Sequence, residues 1–277
     1  MKPSKETHHE PTRPKKSLGQ NFLTDPNYLT KIAAAVEAKP NDTIIEIGPG
    51  RGALTELLLQ TGANVIAIEL DRDLIGPLKE RFSGAGHFHL IERDVLTVDF
   101  NELLSQFGPA AQANSARPTV KLAANLPYYI STAVLRHIAA QREIFTSLIL
   151  MFQREVVDRI TARAGNSERG YLTVIAELAF DVQKLFDVPP TAFWPVPKVW
   201  SSVVKLTPKP YFKDEAGMLQ LVSAGFAQKR KTIANNLKAV YPKYDIALRA
   251  AEIDPKTRAE ALTLDEWRRL YRAIAAV

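Results

Sequence analysis

The chain of 277 residues is long enough for one large domain and a smaller one, and its hydrophobic fraction of 46% is enough for a buried core. It carries 36 Lys and Arg against 30 Asp and Glu. It contains no cysteine, which excludes disulfides, thiolate nucleophiles and cysteine-ligated zinc, and its five histidines lack the spacing of a metal centre. No apolar run reaches the ~18 residues of a membrane span, and the N-terminus lacks the apolar core of a signal peptide. We therefore predict a soluble, cytoplasmic protein, and its net charge of +6 is a weak indication of an anionic partner.

The N-terminal region predicts a basic arm followed by a helix. Residues 1–16 combine five basic residues with two glutamates and three prolines, which is typical of a disordered segment. A solvated tail and an RNA-contacting arm both account for this composition. Asp25 followed by Pro26 predicts the start of a helix through Val36, because aspartate caps helix N-termini and proline suits the first helical position.

A glycine turn follows the first predicted buried strand, residues 43–47. Gly48, Gly50 and Gly52 come directly after this strand and precede an amphipathic helix. Strand, glycine turn and helix in this order let a cofactor approach the backbone closely. The spacing is neither that of a dinucleotide fingerprint nor that of a phosphate loop, and close packing of helix on strand would also require the glycines.

Acidic residues stand at the ends of the next two predicted strands. Glu69 ends the strand that begins at residue 65, and Asp94 follows the strand at 87–92. Glu69 can accept hydrogen bonds from both hydroxyls of a ribose, and Asp94 can accept one from an adenine amino group. A helix cap or a solvated loop residue is the alternative for each. Because ligands bind at the carboxyl ends of strands in an open α/β sheet, the combination predicts a nucleoside cofactor there.

The predicted strand at 120–124 leads into Asn125-Leu126-Pro127-Tyr128, after a polar segment at 105–119 that predicts a flexible surface loop. The carboxamide can hydrogen-bond a flat amine, the proline orients the carbonyls beside it, and the aromatic ring can stack a base with ~1–3 kcal/mol. A simple turn after a strand would explain the same residues.

The second half of the chain predicts further strands at 148–152 and 202–206, with helices at 153–164 and 171–180 between them. The proline-stiffened loop at 187–199 exposes aromatic residues. Within it Phe193 and Trp194 are both candidate core residues, and Phe193 is also a candidate second wall for a flipped base.

Residues 211–277 predict a small helical domain that begins after a linker at 208–210. Its basic run, Lys229, Arg230 and Lys231, is interleaved with amides at helical spacing. A solvated helix face is the usual explanation of such a run, and phosphate contacts are the interpretation that we prefer.

Several stretches, taken in order, resemble the KsgA-type (RsmA) ribosomal RNA adenine dimethyltransferases. The resemblance covers nearly all of residues 17–277. The matching stretches are Gly19–Leu23, Glu46–Gly52, Glu69–Asp71, Asp94–Val95, Asn125–Tyr128, Phe193–Val199 and Phe226–Lys231. The family commonly has an aspartate where this chain has Trp200, which leaves the local contacts around 198–202 open.

The resemblance implies an α/β fold, with a Rossmann-like, S-adenosylmethionine-dependent methyltransferase sheet and a small all-helical C-terminal domain. It implies a catalytic domain at 17–207 and an RNA-contacting domain at 208–277, after the disordered basic arm at 1–16 that the composition predicts. The implied activity is dimethylation of two adjacent adenines near the 3′ end of small-subunit (16S) rRNA, in a pre-30S particle, by a monomer that needs no metal.

Site residues follow from the same resemblance, position by position. The expected cofactor residues are Asn21, Leu23, Gly48, Gly50, Glu69, Asp94 and Asn125. The expected catalytic residues are Asn125, Pro127, Tyr128 and Phe193, and the expected RNA contacts are Lys229, Arg230 and Lys231. Two alternatives stay open: a large-subunit rRNA adenine methyltransferase of the macrolide-resistance type, and a ribosome-assembly factor whose methyl transfer is secondary or lost.

Overall fold

The computed structural model describes residues 14–15, 18–108, 119–127 and 130–277. The chain divides into two compact units, of which the first comprises Met1–Ile130 with Val188–Trp200, and the second Ser131–Asp187 with Ser201–Val277. The predicted boundary between residues 207 and 208 falls inside the second unit. Most of the predicted arm lies outside the described residues, and the assignment of three domains stays a prediction.

The first unit contains parallel strands that alternate with helices along the chain. The elements are β1 (Phe22–Leu23), α1 (Pro26–Val36), β2 (Thr43–Ile47), α2 (Ala53–Leu59), β3 (Asn64–Glu69), α3 (Arg72–Arg81), β4 (Phe88–Glu92), α4 (Phe100–Phe107) and β5 (Val120–Asn125). The parallel strands lie in the order β4-β3-β2-β5, and each of these four was predicted. Strand β2 and most of β3 are buried, as is usual where helices cover both faces of a parallel sheet.

The prediction of a loop over residues 105–119 is wrong for its first residues, because α4 continues through Phe107. The side chain of Asp99 accepts hydrogen bonds from the N–H groups of Asn101 and Glu102, and Leu103 is buried, so the helix is both capped and anchored. Residues 109–118 lie outside the described part of the chain.

The second unit holds antiparallel strands and a helical core. Its elements are α5 (Ser131–Ala139), β6 (Ser147–Gln153), α6 (Arg154–Ile160), α7 (Tyr171–Ala179), β7 (Phe180–Val188), β9 (Ser201–Pro208), α8 (Glu215–Gly225), α9 (Ile233–Leu237), α10 (Tyr244–Ala250) and α11 (Leu264–Ala275). Strand β9 lies between β6 and β7 and runs antiparallel to β6. Strand β7 was not predicted, since its exposed and buried positions do not alternate.

A short antiparallel ribbon joins β1 to β8 (Phe193–Trp194), which belongs to the first unit. Phe22 pairs with Trp194 and Leu23 with Phe193. The N–H groups of Thr24 and Asp25 extend the ribbon by donating to the carbonyl of Ala192, at 2.9 and 3.2 Å. The sequence predicted loops for both segments, because two residues are too few for a periodic signal.

The helical core is centred on Trp267 of α11, which is fully buried. Phe226 ends α8 and packs against the Trp267 ring at a centroid distance of 5.7 Å, and the hydroxyl of Thr232 caps α9. Lys229–Lys231 therefore lie in the turn between two helices, so the predicted helical spacing of this run is wrong. In the described parts of the chain, no helix is both long and apolar enough to cross a membrane.

A fully buried arginine ties together separate segments of the second unit. The guanidinium of Arg142 donates to both carboxylate oxygens of Glu215, at 2.8 and 2.5 Å, and to the carbonyls of Ala139, Lys209 and Pro210. The pair is bidentate and its hydrogen bonds are satisfied, which is the arrangement in which a buried charge is tolerated.

We expect Arg142→Met to lower the free energy of unfolding by about 3–5 kcal/mol, because it leaves the carboxylate of Glu215 and several carbonyls without their donor. Urea unfolding measures the loss. Arg258→Met is the matched control: this arginine is 56% exposed and 3.9 Å from Glu260, so its loss should stay below about 1 kcal/mol. Equal losses for the two variants would contradict the assigned role of Arg142.

Candidate active site

A cavity opens at the carboxyl ends of the parallel strands. This is the ligand-binding edge of an open α/β sheet. The cavity brings together most of the predicted site. Among its lining residues are Asn21, Gly48, Gly50, Glu69, Asp94, Asn125 and Pro127, with apolar walls from Ile68, Leu70, Val95 and Ile130.

A second cavity shares Phe22, Gly48, Gly50 and Asn125 with the first. Leu23, the remaining predicted cofactor residue, lines this second cavity and not the first. The two cavities are thus separated by the glycine turn and the ring of Phe22, and a ligand that extends past the turn would contact both.

The turn after β2 requires glycine at two positions. Gly48 and Gly50 have φ of +68° and +60°, a region that side chains disfavour. A Cβ on Gly50 would also lie 3.0 Å from the ring of Phe22. The turn therefore lets the backbone pass close to Phe22, and it presents the Gly50 N–H to the strand beside it.

Glu69 ends β3 and is held by backbone N–H groups. Its Oε1 accepts from Leu70 and Asp71 at 2.9 and 2.8 Å, and its Oε2 accepts from Gly50 at 3.3 Å. Burial raises the pKa of this carboxyl, and the hydrogen bonds from Asp71, Gly50 and Leu70 oppose that rise. An ionised carboxylate has about four acceptor sites, so Oε2, with one long contact, is the oxygen with room for a ligand hydroxyl.

Asp71 fastens the segment before β1 to the wall of the cavity. It caps α3 through the Asp73 N–H, and it also accepts from the Lys15 ammonium at 2.5 Å and the Gln20 amide at 2.7 Å. Burial alone would raise the pKa of Asp71, but the bonds from Lys15 and Gln20 outweigh it and lower the pKa. The sequence placed Lys15 in the disordered arm and assigned Asp71 no role, since an ion pair across 56 positions leaves no local pattern.

Asp94 and Asn125 complete the polar part of the first cavity. Oδ1 of Asp94 accepts from the Leu96 N–H at 3.0 Å, so the residue is a cap as well as a cavity residue. The Asn125 amide nitrogen donates to the Asn21 carbonyl at 3.3 Å. Its amide oxygen is therefore the acceptor that Asn125 can offer to a substrate amine.

The carbonyl of Pro127 already accepts from the Ile130 N–H at 3.2 Å. Pro127 itself lines the first cavity. The carbonyl of Leu126, directly after the end of β5, is then the better candidate for a second bond to an amine in this turn. Tyr128 lies outside the described residues, so its stacking role stays a prediction.

The structure does not bring Phe193 or the basic run into these cavities. Phe193 is 3% exposed, pairs with Leu23, and lines neither cavity. Lys229, Arg230 and Lys231 are exposed in their turn in the second unit. The roles expected of these residues in base stacking and RNA binding stay predictions.

Arg51 contacts two aromatic rings beside the second cavity, and the sequence did not reveal these contacts. Its guanidinium carbon lies 4.7 Å from the ring centre of Phe22 and 4.9 Å from that of Trp194. Arg51 also lines this cavity. The β1–β8 ribbon pairs Phe22 with Trp194 and so brings both rings within reach of the same cation.

This fold and site define an S-adenosylmethionine-dependent methyltransferase: a parallel sheet, a glycine turn after one strand, an acidic residue at the end of the next, and an asparagine at the end of β5. The family model described as ribosomal RNA adenine dimethylase matches residues 12–276. The chain belongs to this family and is an rRNA adenine dimethyltransferase.

Relatives and solved structures agree with this assignment. The chain is 43% identical to ribosomal RNA small subunit methyltransferase A of Methylococcus capsulatus, over 94% of this chain and 98% of the other. It is 42% identical to the protein of the same name from Moorella thermoacetica, over 94% and 92%. A dimethyladenosine transferase from Plasmodium falciparum superposes with a TM-score of 0.73 at 27% identity, covering 90% and 95% of the two chains. The 23S rRNA methyltransferase ErmE, with a TM-score of 0.67 at 24% identity over 92% and 100%, shows a shared fold alone.

The residues of the first cavity fit S-adenosylmethionine. A buried carboxylate with room at one oxygen suits ribose hydroxyls, and the apolar walls suit an adenine ring. The glycine turn leaves space for the rest of the molecule toward the second cavity.

Glu46 is a buried carboxyl in the middle of β2 that also lines the second cavity. It accepts a hydrogen bond from the Thr55 hydroxyl at 2.7 Å. Burial raises its pKa to about 7, the bond from Thr55 lowers it, and the charge of Glu69 raises it. The folded protein therefore keeps a proton on Glu46 at pH values where an unfolded chain has released it.

We expect Glu46→Gln to become stabilising, relative to the parent, as the pH rises. Protonated Glu46 contributes to the free energy of unfolding because the folded state binds this proton more tightly than the unfolded chain does. The contribution is fully present below the unfolded pKa of 4.5 and is lost as the pH rises through the folded pKa of about 7. Glutamine keeps the bond with Thr55 and does not ionise. Urea unfolding from pH 4 to pH 8 should show a relative gain on the order of 1–3 kcal/mol. A difference that stays constant over this range would contradict the prediction.

Proposed function

We propose that this protein transfers methyl groups from S-adenosylmethionine to the exocyclic amines of two adjacent adenines near the 3′ end of small-subunit (16S) rRNA, giving dimethyladenosines. The observation that carries the proposal is Asn125, whose amide oxygen is available in the cavity that also holds Glu69 and Asp94. Relatives that are 42–43% identical over most of the chain are named as small-subunit rRNA methyltransferases.

The reaction needs a better nucleophile than adenine offers, because the lone pair of its exocyclic amine is delocalised into the ring. The amide oxygen of Asn125 and the carbonyl of Leu126 each accept a hydrogen bond from this amine. Two such acceptors favour a more tetrahedral nitrogen, whose lone pair is then directed at the methyl donor. Tyr128 stacks on the adenine ring, whereas Phe193 is buried, lines neither cavity and is not placed against the other face.

The chain needs no dedicated general base for this chemistry. Once the methyl group has been transferred, the substrate nitrogen is strongly acidic and releases its proton to water or to a nearby acceptor. Positioning of the amine by Asn125 therefore supplies most of the rate.

Cofactor binding falls to the residues at the strand ends. Glu69 accepts from the ribose hydroxyls, Asp94 accepts from the adenine amino group, and the turn at Gly48 and Gly50 lets the ligand approach the backbone. Asn21 and Leu23 contact it from the segment that Asp71 holds in place. Bound S-adenosylmethionine supplies the electrophilic methyl group.

The partner that this chemistry requires is ribosomal RNA. A pre-30S particle as the physiological substrate, a monomeric enzyme and a cytoplasmic location are parts of the proposal. Lys229, Arg230 and Lys231, all exposed in one turn, would bind phosphates of the same RNA.

The two alternatives are less well supported. A large-subunit substrate rests on likeness to a structure that is 24% identical, whereas the small-subunit relatives exceed 40%. An assembly factor without methyl transfer would not need Glu69, Asp94 and Asn125 in one cavity.

The test is methylation of purified ribosomal particles. The protein is incubated with isotope-labelled S-adenosylmethionine and with small- or large-subunit particles from cells that lack the gene, and modified adenines are mapped by primer extension. Label on two adjacent adenines near the 3′ end of the small-subunit rRNA supports the proposal. Label confined to the large subunit, or none on either particle, would refute it.

Asn125→Ala should bind RNA but transfer methyl groups about 10²–10³-fold more slowly, because the missing hydrogen bond matters most as the amine becomes tetrahedral. Single-turnover rates at saturating S-adenosylmethionine and RNA separate this effect from weaker cofactor binding. Asn101→Ala, on the exposed side of α4, is the control and should keep the parental rate. A near-normal rate for Asn125→Ala would remove this residue from the chemistry.

Replacing Lys229, Arg230 and Lys231 by glutamine should flatten the salt dependence of RNA affinity. The expected change in the log–log slope is about 0.7–0.9 for each phosphate interaction that the substitutions remove, with S-adenosylmethionine affinity unchanged. Arg249, Lys256 and Arg258, exposed in the same unit, provide a control with the same decrease in charge. An equal effect of both triple variants would show that net charge matters and not this turn.

A further inference from the structure

The end of β8 and the loop that follows it, residues 194–200 (below, the loop), expose a cluster of apolar side chains. Trp194, Val196, Val199 and Trp200 are 47%, 62%, 38% and 43% exposed. A folded protein exposes single hydrophobic residues commonly, whereas a cluster of them marks a surface that binds something. The two tryptophans are six positions apart, so at most about 20 Å separates their Cα atoms.

The ribbon connects this loop to the active site. Trp194 pairs with Phe22, and Phe22 lines both cavities. The guanidinium carbon of Arg51 lies 4.7 Å from the ring centre of Phe22 and 4.9 Å from that of Trp194, and Arg51 lines the second cavity. A ligand that lies on Trp194 is therefore next to the wall of the active-site cavities.

The charge and the aromatic side chains of the loop together favour a nucleic acid as its ligand. Residues 188–200 contain no acidic residue, and Lys198 is exposed between the two tryptophans. Exposed aromatic faces combined with cationic side chains and no carboxylate are the features by which proteins bind unpaired nucleotides, through stacking of bases and attraction of phosphates.

We propose that Trp194 and Trp200 form a stacking platform for unpaired nucleotides that flank the target adenines. Lys198 and Arg51 supply the positive charge beside it. The inference rests on the proposed function for the identity of the RNA.

The experiment measures binding of a fluorescently labelled small-subunit rRNA 3′ fragment that contains the target adenines. Trp194→Ala and Trp200→Ala should each weaken RNA affinity about 5- to 100-fold, as expected when one base stack is removed. Trp194→Phe and Trp200→Phe should recover most of it, because a ring remains. Val196→Ala is the matched control, since it removes exposed apolar surface of the same loop without removing a ring, and it should bind as the parent does.

Intrinsic fluorescence gives an independent reading. The chain has three tryptophans, and Trp267 is fully buried in the second unit. Stacking should quench the emission of Trp194 and Trp200 when the RNA fragment is added, and the quench should disappear in a variant that carries Phe at both positions. An unquenched spectrum at saturating RNA would overturn the proposal.

The outcomes separate this inference from the proposed function. S-adenosylmethionine affinity should be unchanged in Trp200→Ala and Val196→Ala, whose parent side chains line neither cavity. Stacking would be overturned if Trp194→Ala and Trp200→Ala both bound RNA as tightly as the parent, or if Val196→Ala lost as much RNA affinity as they do. The loop would then be left as a docking surface for a ribosomal protein. If the parent enzyme methylates small-subunit particles in that case, the proposed function survives. If the parent enzyme does not methylate small-subunit particles, the proposed function is refuted, and that result does not depend on what the loop binds.

Discussion

The carboxylate of Glu69 is the group on which the first unit depends. Three backbone N–H groups converge on it, one from the glycine turn after β2 and two from the start of the loop that leads into α3. The same side chain thus fixes the spacing between two neighbouring strand ends and offers an acceptor to the cavity. Asp71, two residues further on, then fastens the segment that carries Asn21. The hydrogen bonds of Glu69 and Asp71 consequently stabilise the local fold and position the residues of the cavity at the same time.

Much of this arrangement could be predicted from the sequence, for identifiable reasons. Strands β2 and β5 are nearly continuous apolar runs, and Glu69 and Asp94 are polar residues at strand ends, so a parallel sheet places them together. The ribbon, the ion pair of Asp71 with Lys15 and the buried Arg142 were missed. Each depends on residues far apart in the chain, which leave no periodic pattern in a single sequence. Strand β7 was missed because its burial follows no period of two.

The basic run illustrates the opposite failure. Its spacing is compatible with a helix, yet the packing of Phe226 on Trp267 ends α8 before Lys229 is reached. Tertiary contacts decided where the helix stops, as they commonly do when propensity is weak. The result is a turn that projects three cationic side chains outward, and this display does not depend on a helix face. Prediction from the sequence was therefore right that these side chains are exposed cations and wrong about the geometry that displays them.

The ribbon of β1 and β8 bears on how the protein is made. Its contacts join residues such as Thr24 and Ala192, 168 positions apart, although both belong to the unit that forms the cavities. At roughly 5–20 residues per second of synthesis, β1 waits on the order of ten seconds or longer for its partner strand to be translated. Until then Arg51 lacks its contact with Trp194, and Phe22 lacks its partner strand. A nascent chain that stops short of β8 accordingly has the strand ends of the first cavity without the ribbon that holds Phe22 beside them, so the site is completed late in translation.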